Sequence, residues 1–152
     1  MIYLATDHRG FELKEKIKGW LSEWGLEHED MGAFEYNKED DYPDFVSKAA
    51  EKVAANPDNS KAIVLGGSGQ GEAMVSNRHQ GVRAAVYYGG SEEIIKLSRE
   101  HNNANVLSLG AMFLDDSVKN RIKLWLDTPF SNDERHKRRI NKIEVQPQQD
   151  EK

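Results

Sequence analysis

A glycine-rich turn at residues 66–72, Gly-Gly-Ser-Gly-Gln-Gly-Glu, is the segment of this chain best suited to chemistry. Four of its first six residues are glycine, so the main chain can approach a ligand closely. The amide groups of Ser68 to Glu72, at the start of a helix, can converge on a negatively charged oxygen. Glu72 adds a carboxylate at the end of the turn. The turn therefore predicts a site that combines main-chain N–H donors with a proton acceptor.

Three kinds of functional site carry glycines in a similar pattern, and two of them do not fit. A phosphate-binding P-loop ends in Gly-Lys-Ser/Thr, where this chain has Gly71-Glu72-Ala73. A dinucleotide fingerprint needs its third glycine where Glu72 stands, and it usually follows the first strand. The third kind is an oxyanion pocket, in which amides stabilise a negative oxygen while a nearby carboxylate moves a proton. A purely structural turn stays open as the alternative, but it gives no reason for a glutamate at this position.

Two further polar segments adjoin apolar runs. Asp7-His8-Arg9 follows the first of these runs, and Asp7 could either act on a ligand or cap the following helix. The segment His101-Asn102-Asn103-Ala104-Asn105 precedes the last run. Imidazole and amide groups both donate and accept hydrogen bonds, which suits a ligand rich in hydroxyls. A helix C-cap formed by asparagine is the alternative for this second segment.

A basic cluster at residues 135–139 stands out in an otherwise acidic chain. Arg135 and Arg139 are four residues apart, so on a helix they share one face, with His136 adjacent. Two guanidinium groups so arranged suit a phosphate monoester. A solvated charged face is the alternative interpretation.

The elements that must position these residues alternate between strands and helices. Short apolar runs predict strands near residues 2–5, 62–65, 82–88 and 106–109, with a weaker candidate at 26–31. Apolar residues at helical spacing predict five helices, marked by Leu13, Ile17, Trp20, Leu21 and Trp24; by Phe45, Val46, Ala49, Ala50 and Val53; by Ile94, Leu97 and Ser98; by Leu114, Val118, Ile122 and Trp125; and by a last segment at about 132–143. This alternation predicts an α/β fold, a Rossmann-like, doubly wound, five-stranded parallel sheet with helices on both faces.

Composition restricts the classes of protein. A chain of 152 residues predicts one domain, here at residues 1–143, followed by a polar tail at 144–152 that we expect to be disordered. The chain has no cysteine, which excludes disulfides and thiol nucleophiles. Its net charge of -5 argues against a nucleic-acid partner. Without a signal peptide or a long apolar run, we expect no membrane partner and a cytoplasmic location.

Taken together, these motifs resemble the type B ribose-5-phosphate isomerases. The similarity is carried, in chain order, by Asp7-His8-Arg9-Gly10-Phe11-Glu12-Leu13-Lys14, Asp41-Tyr42-Pro43-Asp44-Phe45, the glycine turn, Asn77 with Gly81-Val82-Arg83-Ala84, the segment from His101 to Leu107, and Arg135-His136 with Arg139. It spans residues 1 to about 143, and several separated motifs in order are more specific than any one of them. The resemblance implies isomerisation of a phosphorylated sugar through an enediolate, without a metal ion or other cofactor.

The resemblance also implies a role for each site residue. Glu72 would be the base, Ser68 would shuttle a proton between substrate oxygens, and His101 would open the sugar ring with help from Asp7. The turn residues Gly67, Gly69, Gln70 and Gly71 would line the substrate, with the amides of Gly69 to Glu72 holding the enediolate oxygen. Asn102 would position hydroxyls. The phosphate would be held by His8, Arg135, His136 and Arg139.

One position assigns the chain to a branch of the family, and two others depart from the family pattern. One branch of the family uses a cysteine as base where this chain has Gly67, which leaves Glu72 for that role. Met112 replaces an arginine that usually contacts phosphate, and Arg9 replaces a small residue. We therefore expect Arg9 to bind the phosphate in place of the missing arginine.

Family members are homodimers or homotetramers with active sites shared between subunits, and we expect the same here, with the C-terminal helix extending to the partner. Trp125 and Phe130 suggest apolar surface that a monomer would not bury. Two alternative functions stay open. One is isomerisation of galactose 6-phosphate or allose 6-phosphate, and the other is non-catalytic binding of a nucleotide or phosphosugar. A phosphoacceptor receiver is disfavoured, because strands three and five end in glycine.

Overall fold

The computed structural model describes residues 1–144 and contains a five-stranded parallel sheet in the order β2-β1-β3-β5-β4. The strands are β1 (Ile2–Thr6), β2 (His28–Asp30), β3 (Lys61–Gly66), β4 (Ala84–Tyr87) and β5 (Val106–Gly110). The helices are α1 (Phe11–Glu23), α2 (Pro43–Ala55), α3 (Gln70–Asn77), α4 (Glu93–Glu100), α5 (Val118–Asp127) and α6 (Glu134–Glu144). Short 3-10 turns at His8–Gly10 and Ala111–Phe113 follow β1 and β5. The predicted α/β fold is confirmed.

Alternation along each strand divides the apolar core between the two faces of the sheet. On one face, Leu4, Ile63 and Leu107 pack with buried residues of α1, α4 and α5. On the other face, Ala5 and Val64 pack with the apolar stripe of α2. The central strands are thus covered on both sides, as expected for a parallel sheet.

The strand order decides which loops become neighbours at the carboxyl edge of the sheet. Because β5 lies beside β3, the turn after β5 meets the glycine turn after β3. Met112 N–H accordingly donates to the Gly67 carbonyl at 3.1 Å. The 3-10 turn that follows β1 lies on the other side of β3. Three loops from distant parts of the sequence therefore surround one point.

Several sequence predictions need correction. Strand β4 begins at Ala84 rather than at residue 82, and α5 begins at Val118, so Leu114 lies outside it. In α4 the buried face contains Ile95, Ser98 and Arg99, whereas Ile94 and Leu97, which were predicted to mark the apolar stripe, are exposed. A helix of eight residues makes only about two turns, so its apolar positions define the buried face poorly.

The prediction that Trp125 contributes to unburied apolar surface is wrong. Its side chain is 0% exposed, because α5 packs it into the core beneath the sheet. Helix α6 continues to Glu144, where the polar tail was predicted to begin. The rest of that tail, residues 145–152, lies outside the described residues. No helix within residues 1–144 is long and apolar enough to span a membrane.

Candidate active site

Glu72 is a buried carboxylate in the first turn of α3, and its side chain is 4% exposed. The carboxylate lies over Gly66, where any Cβ would overlap it. A residue other than glycine at position 66 would therefore displace Glu72. Burial raises the pKa of Glu72, and the negative charge of Asp7 raises it further, while a main-chain hydrogen bond opposes them. When ionised, such a carboxylate is a stronger base than an ordinary glutamate.

The glycine turn is fixed by main-chain contacts with β5. Gly69 has a φ of +79°, and a Cβ there would lie 3.0 Å from the Leu109 carbonyl carbon. Ser108 Oγ donates to the Gly69 carbonyl at 2.7 Å. The Ser68 hydroxyl accepts a hydrogen bond from the Gln70 N–H at 3.3 Å, which leaves its own proton available to a ligand. The turn is thus rigid where it faces the site.

Asp7 is buried beside this turn. Its side chain accepts a hydrogen bond from the Arg9 N–H at 2.9 Å, so the capping role suggested by the sequence is real. Burial raises the pKa of the Asp7 carboxyl, whereas the hydrogen bond from Arg9 and the charge of His8 lower it. Because Asp7 and Glu72 interact electrostatically, two carboxyl groups with raised pKa values share the site.

His8 is held by a residue that the sequence did not indicate. Asp40 Oδ1 lies 2.6 Å from His8 Nδ1 and also accepts the His8 main-chain N–H at 3.0 Å. Ligand atoms of Asp7, His8 and Asp40 lie within 4.8 Å of one another, a spacing that a metal site could share. The short contact between His8 and Asp40 is a hydrogen bond, which accounts for much of that closeness.

Arg9 lies where the glycine turn and Met112 meet. A Cβ at Gly67 would lie 3.3 Å from the Arg9 Cζ, and the Arg9 side chain contacts Met112 Sδ at 3.7 Å. Within residues 1–144, no carboxylate lies within ion-pair distance of Arg9. Its charge is therefore available to a ligand at the mouth of the turn.

Tyr42 is a second residue missing from the predicted site. A Cβ at Gly71 would overlap its hydroxyl, so the phenol packs directly on the turn. The sequence carried a signal for it, because Asp41-Tyr42-Pro43 opens α2 and belongs to the family motifs. No signal pointed to Asp40, which reaches His8 across 32 positions through an irregular loop.

His101 and Asn102 lie elsewhere, just after α4 and before β5. The His101 ring stacks on the His136 ring of α6, with centroids 4.2 Å apart and planes 19° apart. His136 is 4% exposed, and its Nε2 has no hydrogen-bond partner among the described residues. Burial lowers the pKa of His136, and the nearby charges of His101 and Arg135 lower it further. Arg135 and Arg139 are exposed, whereas His136 is not.

The predicted site residues thus form two groups at opposite edges of the sheet. We call Asp7, His8, Arg9 and residues 66–72 the glycine-turn half, and it lies at the carboxyl edge. We call His101, Asn102, Arg135, His136 and Arg139 the histidine–arginine half. This half lies at the amino edge, since His101 precedes β5 and Glu144 of α6 bonds Arg83 just before β4. A strand of five residues separates the edges by roughly 17 Å, so one chain does not bring the halves together.

Fold and site together define a class of protein. It is a doubly wound α/β enzyme in which a buried carboxylate faces an amide-lined turn at the carboxyl edge of the sheet, an arrangement suited to proton transfer beside a carbonyl. The chain belongs to the Ribose/Galactose Isomerase family, whose model matches residues 2–143.

Relatives cover nearly the whole chain. Ribose-5-phosphate isomerase B of Mycolicibacterium paratuberculosis is 43% identical over 141 residues, covering 92% of this chain and 87% of the relative. The protein of the same name from Mycobacterium leprae is 40% identical, covering 92% and 85%. The structure of ribose-5-phosphate isomerase B from Mycoplasma genitalium, with bound ribulose 5-phosphate, matches with a TM-score of 0.89 and 38% identity, covering 94% of this chain and 93% of the other.

Proposed function

We propose that this chain interconverts ribose 5-phosphate and ribulose 5-phosphate, with Glu72 as the base. The observation that carries this proposal is the buried Glu72 carboxylate beside the amide-lined turn. Isomerisation requires removal of the proton α to the carbonyl and its return to the neighbouring carbon. A carboxylate with a raised pKa can do both, because it binds the proton more firmly than an ordinary glutamate and can still return it to the neighbouring carbon.

The negative charge of the enediolate is held by main-chain N–H groups. The amides of Gly69 to Glu72 lie at the N-terminus of α3, where main-chain donors and the helix dipole favour an oxygen anion, and the Gln70 N–H among them also contacts Ser68 Oγ. Ser68 then passes a proton between the two substrate oxygens, since its hydroxyl hydrogen is not used within the turn. In this proposal side chains and main-chain amides carry every step.

The sugar is opened and its phosphate is held by groups around this centre. His101 protonates the ring oxygen with help from Asp7, and Asn102 binds hydroxyls. The phosphate is bound by His8, Arg135 and Arg139. The His136 ring stacks on His101 and is buried, whereas the neighbouring arginines are exposed, so burial argues that His136 supports the ring-opening acid more than it binds the phosphate.

Arg9 supplies part of the positive charge that binds the phosphate. Its guanidinium contacts Met112, the position where the family usually has its arginine. The family usually has its cation in the turn after β5, whereas this chain has Arg9 in the turn after β1. Both positions lie beside the same part of the site. Charge-assisted hydrogen bonds from a guanidinium suit a phosphate there.

The site is completed by a second copy of the chain. The halves lie at opposite edges of one sheet, so His101 can reach Glu72 only across a subunit interface. Elements around the edge strand β4 expose apolar side chains, namely Met74 of α3, Tyr88 after β4, and Ile94 and Leu97 of α4. Such a patch fits a homodimer interface, and α6 would extend the histidine–arginine half to the partner.

The decisive test measures exchange of the substrate proton with solvent, and not only the formation of product. The protein is incubated with ribulose 5-phosphate in deuterated water, and NMR detects deuterium at C1 of ribulose 5-phosphate and at C2 of the newly formed ribose 5-phosphate. Exchange that is lost in Glu72→Gln supports the proposal. A protein that binds the sugar phosphate without exchange would be a binding module instead.

The same assay with galactose 6-phosphate and allose 6-phosphate identifies the natural sugar. A hexose phosphate that is turned over with a higher kcat/KM than ribose 5-phosphate would overturn the pentose assignment while leaving the enediolate chemistry intact. We expect the pentose to be preferred, in line with the names of the relatives.

A further inference from the structure

The loop between β2 and α2, residues 31–42, folds over His8 and contacts it. Lys14 fixes the start of this loop, with its ammonium bonded to Asp30 Oδ1 at 2.6 Å and to the Ala33 carbonyl. Further along, the Tyr36 ring meets the His8 ring edge-on, with centroids 6.1 Å apart. Asp40 then closes the loop onto His8. The start of the loop is thus fixed by Lys14, and its later part contacts His8 through Tyr36 and Asp40.

One oxygen of Asp40 makes both contacts with His8. Oδ1 accepts the main-chain N–H at 3.0 Å and lies 2.6 Å from Nδ1. An ionised carboxylate has no proton to donate, so the proton in the contact with the ring belongs to Nδ1. His8 Nε2 is thereby left on the opposite side of the ring, with no hydrogen bond to residues 1–144.

The other oxygen shows that this arrangement does more than stabilise the loop. Asp40 Oδ2 is buried and has no hydrogen-bond partner in the described part of the chain. A buried, unpaired carboxylate oxygen costs free energy, so stabilisation of the loop alone does not account for a carboxylate at this position. Capping of the turn at His8–Gly10 needs only the main-chain contact, yet the contact with the ring is the shorter one.

We propose that Asp40 is a positioning residue that accepts the Nδ1–H of His8 and turns Nε2 towards the phosphate of the sugar, to which the ring donates an Nε2–H when it carries protons on both nitrogens in the complex. This inference rests on the proposed function only in naming the phosphate as the ligand. The hold on the ring is a property of the chain alone. Asp40 acts as a carboxylate commonly does behind a functional histidine, because it fixes both the tautomer and the orientation of the ring.

The first test reads the tautomer directly. Protein labelled with ¹⁵N-histidine is compared with Asp40→Ala and Asp40→Leu by NMR, and His8→Gln identifies the His8 signals. We expect the neutral ring to carry its proton on Nδ1 in the parent and to shift towards the Nε2 tautomer in Asp40→Ala. Equal tautomer populations in parent and variants would overturn the proposal, whether or not the protein is an isomerase.

The second test is a double-mutant cycle on KM for ribulose 5-phosphate. Asp40→Ala should raise KM about tenfold, as expected for a charge-assisted contact, with a smaller change in kcat. In a His8→Ala background the same substitution should change KM less than twofold, because there is no ring left to orient. Glu39→Gln, an exposed acid in the same loop, is the matched control and should leave KM unchanged.

The outcomes of this cycle separate the two proposals. Additive effects of Asp40→Ala and His8→Ala would reduce Asp40 to a loop-stabilising residue and overturn the inference. A parent protein without isomerase activity would overturn the proposed function, and the tautomer measurement would still decide the role of Asp40. If Asp40→Ala fails to fold, Asp40→Leu nearly keeps the size of the side chain, removes both oxygens and carries both measurements.

Discussion

The two halves of the site are built in different ways. The glycine-turn half is fixed by main-chain hydrogen bonds and close packing, and its acids Asp7 and Glu72 are buried. The histidine–arginine half presents exposed Arg135 and Arg139 on a terminal helix, with one buried ring behind His101. A half that performs proton transfer must hold its geometry and exclude water. Exposed arginines that reach for a phosphate need length and charge more than a rigid setting, and they can be contributed by another subunit.

The largest effect is expected when the Glu72 base is removed from the glycine-turn half. Glu72→Gln keeps the size of the side chain over Gly66 but cannot accept a proton, so kcat should fall by about two to four orders of magnitude. Deuterium exchange into ribulose 5-phosphate should fall with it. Circular dichroism and KM should stay near those of the parent. Turnover close to the parent value would mean that another group is the base.

The next largest effect is expected if Glu72 and His101 of one active site belong to different subunits. Glu72→Gln and His101→Asn should each be nearly inactive on ribose 5-phosphate, which must be ring-opened before it reacts. When the two are unfolded together and refolded at equal concentration, half of the dimers would combine both chains, each with one intact site. Activity should recover to about a quarter of the parent value.

Separately refolded variants, mixed only afterwards, are the control for this experiment and should stay inactive if subunits do not exchange. Lack of recovery in the co-refolded sample, with dimers present by light scattering, would place both halves of each site in one chain. That result would contradict the separation seen across the sheet.

A smaller effect is expected from substitution of Arg9, which we propose takes the place of the arginine that the family has at the position of Met112. Arg9→Ala should raise KM for the phosphosugar about tenfold or more, because a charge-assisted hydrogen bond worth about 1.5–3 kcal/mol is lost. Adding Met112→Arg to this variant should restore much of the affinity, since both side chains reach the same point beside Gly67. Steady-state kinetics measure both changes.

The matched control for Arg9 is Lys16→Ala, which removes a nearby exposed cation that is paired with Asp116 instead. It should leave KM unchanged. An unchanged KM in Arg9→Ala itself would remove Arg9 from the phosphate site.

The smallest expected effect is on stability. The pKa of Glu72 in the folded chain lies above its ordinary value of 4.5, so the folded state binds its proton more tightly than the unfolded chain does. This contribution to stability is present below about pH 4.5 and is lost as pH rises through the folded pKa. At pH 7, Glu72→Gln should therefore melt at the same temperature as the parent or roughly 2–4 °C higher.

Melting curves from pH 4 to pH 8 test this expectation. The gain of Glu72→Gln over the parent should grow with pH across that window. A variant that is clearly less stable than the parent at pH 7 would mean that the ionised carboxylate has a favourable partner in the folded protein. For the same reason, kcat/KM of the parent should decline on the acid side at a higher pH than an ordinary glutamate would give.

Local patterns were enough to identify the glycine-turn half. Residues 66–72 are contiguous, and Asp7-His8-Arg9 directly follows a strand, so each piece is visible in a short window of sequence. Their convergence followed from one rule, that loops after parallel strands meet at the carboxyl edge of the sheet. Burial of the strands also followed from their apolar runs.

Other features were invisible in any short window. Asp40 reaches His8 across 32 positions, and no periodicity marks an irregular loop. Which residues of α4 face outward depends on a rotation that its two turns do not specify. The same holds for Trp125, whose burial depends on how α5 packs against the sheet.

The sequence by itself determined which chemical groups are present: a carboxylate beside a glycine-rich turn, a set of neutral donors near His101 and a pair of arginines one helical turn apart. These depend on residue type and local spacing, which the chain carries wherever it folds. Only the tertiary structure decided how these groups are distributed. It separated the halves across the sheet, brought Arg9 to Met112 and joined Asp40 to His8, because such contacts depend on strand order and loop paths, which arise from the packing of the whole chain.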